Sequence, residues 1–307
     1  MTPQTATLQT LDSDTSTAVA GSSTAHQLSN NDHAEVVEFL KERPLHNVVM
    51  NGFIHDNGIE SDLNRGSFYG SRNEAGNLEG IALIGHAIFM EARTGSAFQA
   101  LAQVARQRKR PHMILGEQHA VQSFWDLYQQ DEAPPHECCR EILLELTSPA
   151  ESWAPLPALR QATREDLSLV MPVHAAMACR ESGTNPLEID AEGFRVRCLR
   201  RIEQGRVWIL TKGGQLVFKA DIVSETPDVN YIEGVYVHPD EHGKGYGSRC
   251  MTQLARYLLR QTASIAVLVN EAHHDAQGFF RKIGFVPRAE YQTIFLNSTS
   301  TLARDSN

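Results

Sequence analysis

The sequence predicts an α/β (α+β) chain of two successive modules, each a mixed, mostly antiparallel sheet flanked by helices. Three observations carry this. The 307 residues exceed one ordinary domain, and a 41% hydrophobic content is enough for two cores. Runs with strand-like alternation and runs with helical spacing follow one another as helix pair, meander, then alternating helix and strand, and that order occurs twice. Between the two occurrences lies "SPAESWAPLP", a proline-rich break.

The elements follow in order. Residues 1–31 are rich in Ser, Thr, Gln and Asn and hold no Lys, Arg or aromatic residue, so a disordered tail is expected there. "NDHAEVVEFLKE" predicts a helix capped by Asp32, with Val36, Val37, Phe39 and Leu40 on its buried side, and "HNVVMNGFIHDNG" a shorter second helix. Two strand-like runs, "GSFYGSR" and "GIALIGHAIFMEA", are divided by the turn "NEAGN". The helix "GSAFQALAQVARQRK", the strand "HMILG", the helix "AVQSFWDLYQ" and the run "CREILLELT" complete a first module at 32–147. A linker at 148–157 follows.

In the second module, 158–298, "ALRQATREDL" reads as a short strand entering a helix, with Thr163 at the N-cap and Asp166 near the first-turn amides. A helical region runs to about Gln204, broken near Gly183 to Pro186. Three strands come next, "RVWILTK", "QLVFKADIV" and "NYIEGVYV", the first two joined across "GG", which favours the positive φ angles of a tight hairpin. The last strand runs through Gly243, Lys244, Gly245, Tyr246 and Gly247 into a helix with Met251, Leu254, Ala255 and Leu258 on one face. "IAVLVN" reads as a strand covered on both sides, Ala276, Phe279, Phe280 and Ile283 as a helix face, and "YQTIFL" as the final strand. Residues 299–307 form an expected flexible tail.

The net charge of −9 argues against a general nucleic-acid binder, because phosphate backbones are held chiefly by clustered Lys and Arg. "RQRKRP" ends a helix, where cations complement the dipole, and the cluster Arg195, Arg197, Arg200 and Arg201 reads first as a helix's wet face. Five cysteines without paired metal spacing point to reduced thiols, a cytoplasmic setting and no metal. Cys250 reads as a small buried helix residue and His273-His274-Asp275 as a solvated loop. No basic leader and no run of about 18 apolar residues marks export or membrane insertion.

Strand, three alternating glycines, helix is an order that aims successive backbone N–H groups at one point, where the helix dipole favours negative charge. Glycine serves there because a Cβ obstructs close approach of an anion and because positive φ costs glycine little. Neither a phosphate loop of the form GxxxxGK[ST] nor a dinucleotide GxGxxG unit is present. The stretch from His242 to Gly247 resembles the acetyl-CoA loop, [Q/R]xxGx[G/A], of the GNAT superfamily of N-acetyltransferases, and "VNEAHHDAQGFFRKIGF" resembles its later NxxxxxAxxxYxxxGF region. The likeness covers about residues 158–296. The whole chain resembles a tandem two-module group of that superfamily, with a degenerate first half that lacks the glycine pattern.

The resemblance implies acetyl-CoA as acyl donor and a splayed central strand pair in the second module. It implies that Val235, Tyr236 and Val237 pair with the pantetheine arm, Val237 N–H lying near the thioester oxygen. The amides of Gly243, Lys244, Gly245, Tyr246, Gly247 and Ser248 would then hold the pyrophosphate. Asn270 matches a position that often bonds the CoA arm, the alternative being a polar strand terminus. His242 replaces the usual Gln or Arg, and reads equally as a phosphate contact or a solvated turn histidine. Phe280 stands where the superfamily often has a tyrosine that protonates the departing thiolate; Tyr231, Tyr236 or Tyr291 are possible replacements, and an unassisted departure is another.

On "YIEGVYV", simple alternation puts Glu233 on one face with Tyr231, Val235 and Val237. Glu233 is therefore a candidate base, beside Tyr231, for an amine that must lose a proton before attack, against the reading of a structural carboxylate. Glu181, in the helix break, is a candidate acceptor contact or a solvated helix end. Lys219 shares a face with Asp221 and is either an acceptor contact or part of a strand's wet side. The expectation is an N-acyltransferase transferring acetyl to a small-molecule or peptide amine, with a non-catalytic acetyl-CoA-sensing module as the alternative and transfer of an aminoacyl or longer acyl group as a third reading.

Overall fold

The computed structural model describes residues 24–129, 134–150 and 154–296. Residues 1–23 of the tail expected at 1–31, the tail expected at 299–307, and the middle of the expected linker lie outside the described residues. The first module contains β1 (Thr24–Gln27), α1 (His33–Lys41), α2 (Val48–Asn57), β2 (Gly66–Arg72), β3 (Leu78–Gly85), β4 (Ala87–Ala92), α3 (Gly95–Arg106), β5 (Met113–Glu117), α4 (Gln118–Tyr128) and β6 (Glu137–Leu146). The second contains β7 (Arg160–Gln161), α5 (Leu167–Ser182), α6 (Pro186–Glu203), β8 (Val207–Lys212), β9 (Gln215–Glu225), β10 (Val229–Val237), α7 (Tyr246–Leu258), β11 (Ser264–Asn270), α8 (His274–Ile283) and β12 (Val286–Phe295).

Each module opens in the same way. In the second, Thr163 and Asp166 form a capping box, with Thr163 N–H donating to Asp166 Oδ2 at 2.8 Å. In the first, the equivalent pair is Ser29 and Asp32, again at 2.8 Å. Asp32 is thus the reciprocal partner in the box and not the side-chain cap expected for α1. Residues 24–31 also depart from the expected tail, because β1 is held by backbone pairing to β2 and by burial of Leu28. Composition misses an edge strand whose stability comes from its neighbour.

The run "GIALIGHAIFMEA" is two strands. The chain reverses at Gly85–His86, so that Ile84 faces Ile88. A Cβ on Gly85 would lie 2.2 Å from the Arg65 carbonyl oxygen, so only glycine lets the turn press this close to its neighbour. The Gly213–Gly214 hairpin has positive φ at both residues, as expected.

The described strands form one sheet in the order β1-β2-β3-β4-β5-β12-β6-β11-β10-β9-β8-β7. Only β4–β5 and β10–β11 pair in parallel; the other pairs are antiparallel. The two modules exchange their last strands: β12 lies between β5 and β6, and β6 lies between β12 and β11. Helix α2 of the first module packs on β9 of the second, where a Cβ on Gly52 would lie 2.5 Å from Ser224 Oγ. Arg206 of the second module pairs with Asp56 of the first, one bond being 2.7 Å.

Separate apolar clusters lie beneath α3 and α4, beneath α1 and α2, and beneath α7 and α8. A further cluster, with Val48, Leu143, Tyr231, Ala266 and Tyr291, joins the modules. No described helix is long and apolar enough to cross a membrane.

Candidate active site

Strand β10 pairs with β11 only from Val229 to Tyr231; beyond that point the two diverge. The β11-side edge of β10 from Ile232 to Val237 is therefore unpaired. His238 N–H donates to the Val217 carbonyl in the β9 direction at 2.9 Å, so strand alternation turns the Val237 N–H toward the opening. His242 Nε2 donates to the Val237 carbonyl at 3.0 Å. The histidine thus closes the end of the gap with a local bond.

Gly243 and Gly245 have φ of 73° and 79°. A Cβ at either would meet no protein atom within 4 Å, so the fold leaves this space open. Gly247 serves a different need: its Cβ would lie 2.9 Å from Val237 Cγ2 and 3.1 Å from Phe279 Cε2. Its absence lets α7 close on β10. The first-turn N–H groups of Tyr246, Gly247 and Ser248 have no preceding turn to accept them and point, with the helix dipole, toward the open space. Lys244 lies 3.1 Å and Lys212 3.6 Å from Glu241 beside the loop.

A bulge at Gly234, with φ of 59°, changes the faces of β10. Glu233 pairs with Asp221 and Tyr236 with Lys219, so three steps on β10 match two on β9. The extra residue reverses the alternation: Val235 and Val237 pack toward α7, while Tyr236 joins the face of α5. Simple alternation is overturned here. Tyr236, and not Val235 or Val237, shares a face with Tyr231 and Glu233.

The bulge is held from below. Lys219 Nζ donates to Asp221 Oδ2 at 2.6 Å and to the Gly234 carbonyl at 3.2 Å, with Lys219 fully buried and Asp221 1% exposed. The pair is therefore not a strand's wet side, and Lys219 is sealed from solvent. It supports the strand on which the site is built.

Glu233 keeps an exposed side chain on the gap side, crowded by the protein around it. That crowding, by partial desolvation, raises its pKa above the ordinary carboxylate range, against the opposing pull of Arg201, of its hydrogen bond from Tyr231 and of Lys219. Glu181 faces the same space from the end of α5. Its side chain is exposed at the helix end, and partial desolvation by the surrounding protein first, then the charges of Glu233 and Glu141, push its pKa up to about 7. Glu141, on the exchanged strand β6, is likewise raised by burial and accepts a 2.5 Å bond from Thr293. The exchange thus delivers a third carboxylate to the group.

Residues 176–285 match the model of the acetyltransferase (GNAT) family. This region is a GNAT acetyltransferase domain. Solved structures share the fold over most of the chain: a Drosophila protein, 13% identical, covers 90% of this chain and 99% of its own, with a TM-score of 0.65. A tandem GNAT protein from the clavulanic acid biosynthesis pathway, 14% identical, covers 88% and 98%, with a TM-score of 0.55. A GNAT-family acetyltransferase from Colwellia psychrerythraea, 12% identical, covers 89% and 99% at 0.54. No curated protein matches the chain.

Within the GNAT domain, Asn270 ends β11 and its Oδ1 accepts the Ala272 N–H at 2.8 Å, so that half of its amide is engaged locally. Phe280 is 6% exposed and packs edge-on against Phe279 and Phe285, at 5.0 and 5.2 Å between ring centres. Phe280 is thus a core residue and offers no surface to a cofactor. Phe279, its neighbour, is the aromatic that touches the glycine loop. Cys250 is fully buried and its thiol is pushed up to about 12, which leaves no thiolate for acyl transfer.

Of the three tyrosines considered for proton donation, Tyr231 bonds Glu233 and burial holds its pKa far above the usual phenol value. Tyr291 bonds His46 Nδ1 at 3.0 Å and is also raised by burial. Tyr236 is half-buried, and its hydroxyl has no hydrogen-bond partner among the described residues. Its pKa is raised by burial, with Arg180 opposing.

The sequence reading missed Arg201 and His174. Arg201 lies 3.7 Å and His174 3.6 Å from Asp221, and Arg201 also acts on Glu233. The cluster Arg195, Arg197, Arg200 and Arg201 is therefore only partly a wet face. Arg195 pairs with Glu192 there, whereas Arg200 reaches Asn57 at 2.8 Å and Arg201 turns inward. Arg201 falls seven residues after Phe194 and three after Cys198, both buried, and that spacing was a legible sign of its inward turn.

Proposed function

We propose that the chain is an acyl-CoA-dependent N-acyltransferase that moves an acetyl group, not an aminoacyl group, from acetyl-CoA to an amine by direct attack. The observation that carries this is the unpaired edge of β10, which runs from the open glycine loop at Gly243–Ser248 to the carboxylates of Glu233 and Glu181. The residues fit the donor. Loop amides suit a pyrophosphate, and the free β10 edge, with Val235, Tyr236 and Val237, suits the amides of the pantetheine arm.

Acetyl-CoA supplies an activated thioester; the protein supplies proton transfer and charge stabilisation. Glu181, with Glu233 beside it, takes the proton of the acceptor ammonium, and a group with pKa near 7 suits that task at neutral pH. The neutral amine then bonds to the acetyl carbon as the C–S bond breaks. Val237 N–H stabilises negative charge on the carbonyl oxygen. Tyr236 gives its proton to the departing thiolate, and the second proton of the amine nitrogen, shed as the amide forms, returns to the Tyr236 phenolate through water; Glu181 releases the first proton to solvent.

The buried Phe280 favours a second reading, a module that binds acetyl-CoA without turnover. Purified protein incubated with acetyl-CoA and a varied amine panel, with free thiol release followed beside calorimetric titration of CoA, separates the two. Binding with turnover supports the transferase. Binding without turnover across the panel supports the sensing module, and no binding defeats both.

A further inference from the structure

A cavity of about 480 Å³ lies where the two modules meet, on the face of the sheet that carries Glu233. The first module lines it with Arg65, His86 and His112, and the second with His174, Arg197 and Arg201. Asp190 is the one carboxylate among the lining residues. Its volume falls in the ordinary range for a small-molecule site. In a chain of net charge −9, three arginines gathered around one carboxylate are a local exception, while burial first, and then the neighbouring cations, lower the pKa of His86 and His174 to about 4 and that of His112 below its ordinary value, so that the imidazoles serve as neutral polar groups.

The three guanidiniums share few carboxylates. Arg197 reaches Asp190 at 3.2 Å. Arg201 has its nearest carboxylate oxygen, on Asp221, at 3.7 Å, beyond hydrogen-bond reach. Arg65 has no hydrogen bond or ion pair within 4 Å among the described residues; burial and the nearby Arg197 disfavour its charge, and Asp190, already paired with Arg197, is the one carboxylate that favours it. Like charges gathered this way, partly desolvated and short of counter-ions, gain most from an added anion.

The fold also holds Arg65 in place at a cost. It is the one non-glycine residue with positive φ, 56°, among the described residues. His86 N–H donates to its carbonyl at 2.9 Å, and His112 N–H donates to the His86 carbonyl at 2.7 Å. The imidazoles of His86 and His112 stack at 5.3 Å. A strained backbone clamped by two successive bonds is a feature found at ligand sites.

The cavity adjoins the carboxylate group. Arg201 lines it and also acts on Glu233. Ser182 lines it, while the preceding residue, Glu181, faces the gap. We propose that this cavity is the acceptor's anionic subsite: it takes the carboxylate or phosphate of an amine whose nitrogen lies at Glu181 and Glu233. This deepens the transferase reading and rests on it. It also gives the first module a direct part in acceptor choice, through Arg65, His86 and His112.

The test uses the full-length protein and two matched pairs of acceptors, glycine with glycinamide and phosphoethanolamine with ethanolamine. Thiol release at saturating acetyl-CoA gives kcat/KM for each. The anionic member of at least one pair is expected to lead by at least tenfold, and the preferred pair distinguishes carboxylate from phosphate. Arg65→Gln and Arg197→Gln are each expected to reduce that lead at least tenfold through acceptor KM, with the KM for acetyl-CoA unchanged and Arg65→Lys retaining part of it. Equal or better turnover of the neutral members, or an undiminished preference in both variants, overturns the proposal.

A second measurement separates its failure from that of the transferase reading. Inorganic phosphate is titrated against thermal unfolding of the wild type and of the Arg65→Gln/Arg197→Gln double variant, without acetyl-CoA. Stabilisation by phosphate that the double variant loses sustains the subsite even where no amine turns over. Equal responses, or none, overturn it.

Discussion

Lys219 Nζ lies 2.6 Å from Asp221 Oδ2 in the interior, and the same ammonium donates to the Gly234 carbonyl at the bulge of β10. One buried cation therefore both neutralises a carboxylate and fixes the backbone that presents Glu233. Lys219→Met is expected to destabilise the protein by about 3–5 kcal/mol, because it leaves Asp221 buried without its nearest partner. Urea unfolding measures this. The double variant Lys219→Met/Asp221→Leu is expected to recover much of the stability without recovering acetyl transfer, because the Gly234 carbonyl has still lost its anchor.

Glu181, with its pKa pushed up to about 7, sets the acid limb of the rate profile. Transfer needs the carboxylate, so kcat/KM rises with pH to a plateau above that value. In Glu181→Gln the limb is lost and the rate falls by about 100-fold, the general-base contribution. Stability moves the other way. A folded-state pKa above the unfolded one contributes stability that is full at acid pH and lost as pH rises through 7. Above that pH Glu181→Gln is expected to be more stable than wild type by on the order of 1 kcal/mol, after allowance for solvent screening.

Asp166 has the opposite sign. Its bonds from Arg160, at 2.7 and 2.9 Å, with those of its capping box, hold its pKa down at about 2. The stability it contributes is present above the unfolded value near 4 and is lost as pH falls toward 2. Asp166→Ala is expected to cost about 2 kcal/mol at pH 7, shrinking toward zero near pH 2. Denaturant titrations at a series of pH values measure the difference.

Gly245→Val places a β-branched residue at a φ of 79° and fills the open side of the loop. CoA affinity is expected to fall more than tenfold by calorimetry, with the melting temperature lowered by only a few degrees. Unchanged affinity would remove the loop from the binding site. Phe280→Tyr, by contrast, is expected to give no rate gain, because the new hydroxyl enters the core, whereas Tyr236→Phe lowers kcat by about 100-fold or more.

The strand exchange predicts that the halves depend on each other. Residues 24–150 and 154–296 produced separately each lack a strand from the middle of the sheet and are expected to stay unfolded or to aggregate. Produced together, they are expected to associate and regain a cooperative melting transition. Independent two-state folding of either half would contradict this.

Much of the site was legible because its signals are local. Gly243, Gly245 and Gly247 announce themselves by spacing before a helix, and the box of Thr163 and Asp166 by three-residue separation. The bulge at Gly234 was not legible. A single glycine in a strand does not reveal whether the ladder gains a residue there, and that one residue decides which side chains share a face with Glu233. The inward turn of Lys219 was hidden for a related reason: alternation on β9 distinguishes two faces but does not say which one a helix covers.

By itself, the sequence determined the α/β class, the two-module order, the anion-suited loop and the candidate carboxylates, since each depends on residues close in the chain. Tertiary structure alone decided the exchange of β6 and β12, the meeting of Glu181, Glu233 and Glu141, and the gathering of Arg65 with Arg197 and Arg201. Those partners are separated by tens to more than a hundred residues. No local periodicity encodes such contacts, which arise only when both modules complete one sheet and bury one another's apolar faces.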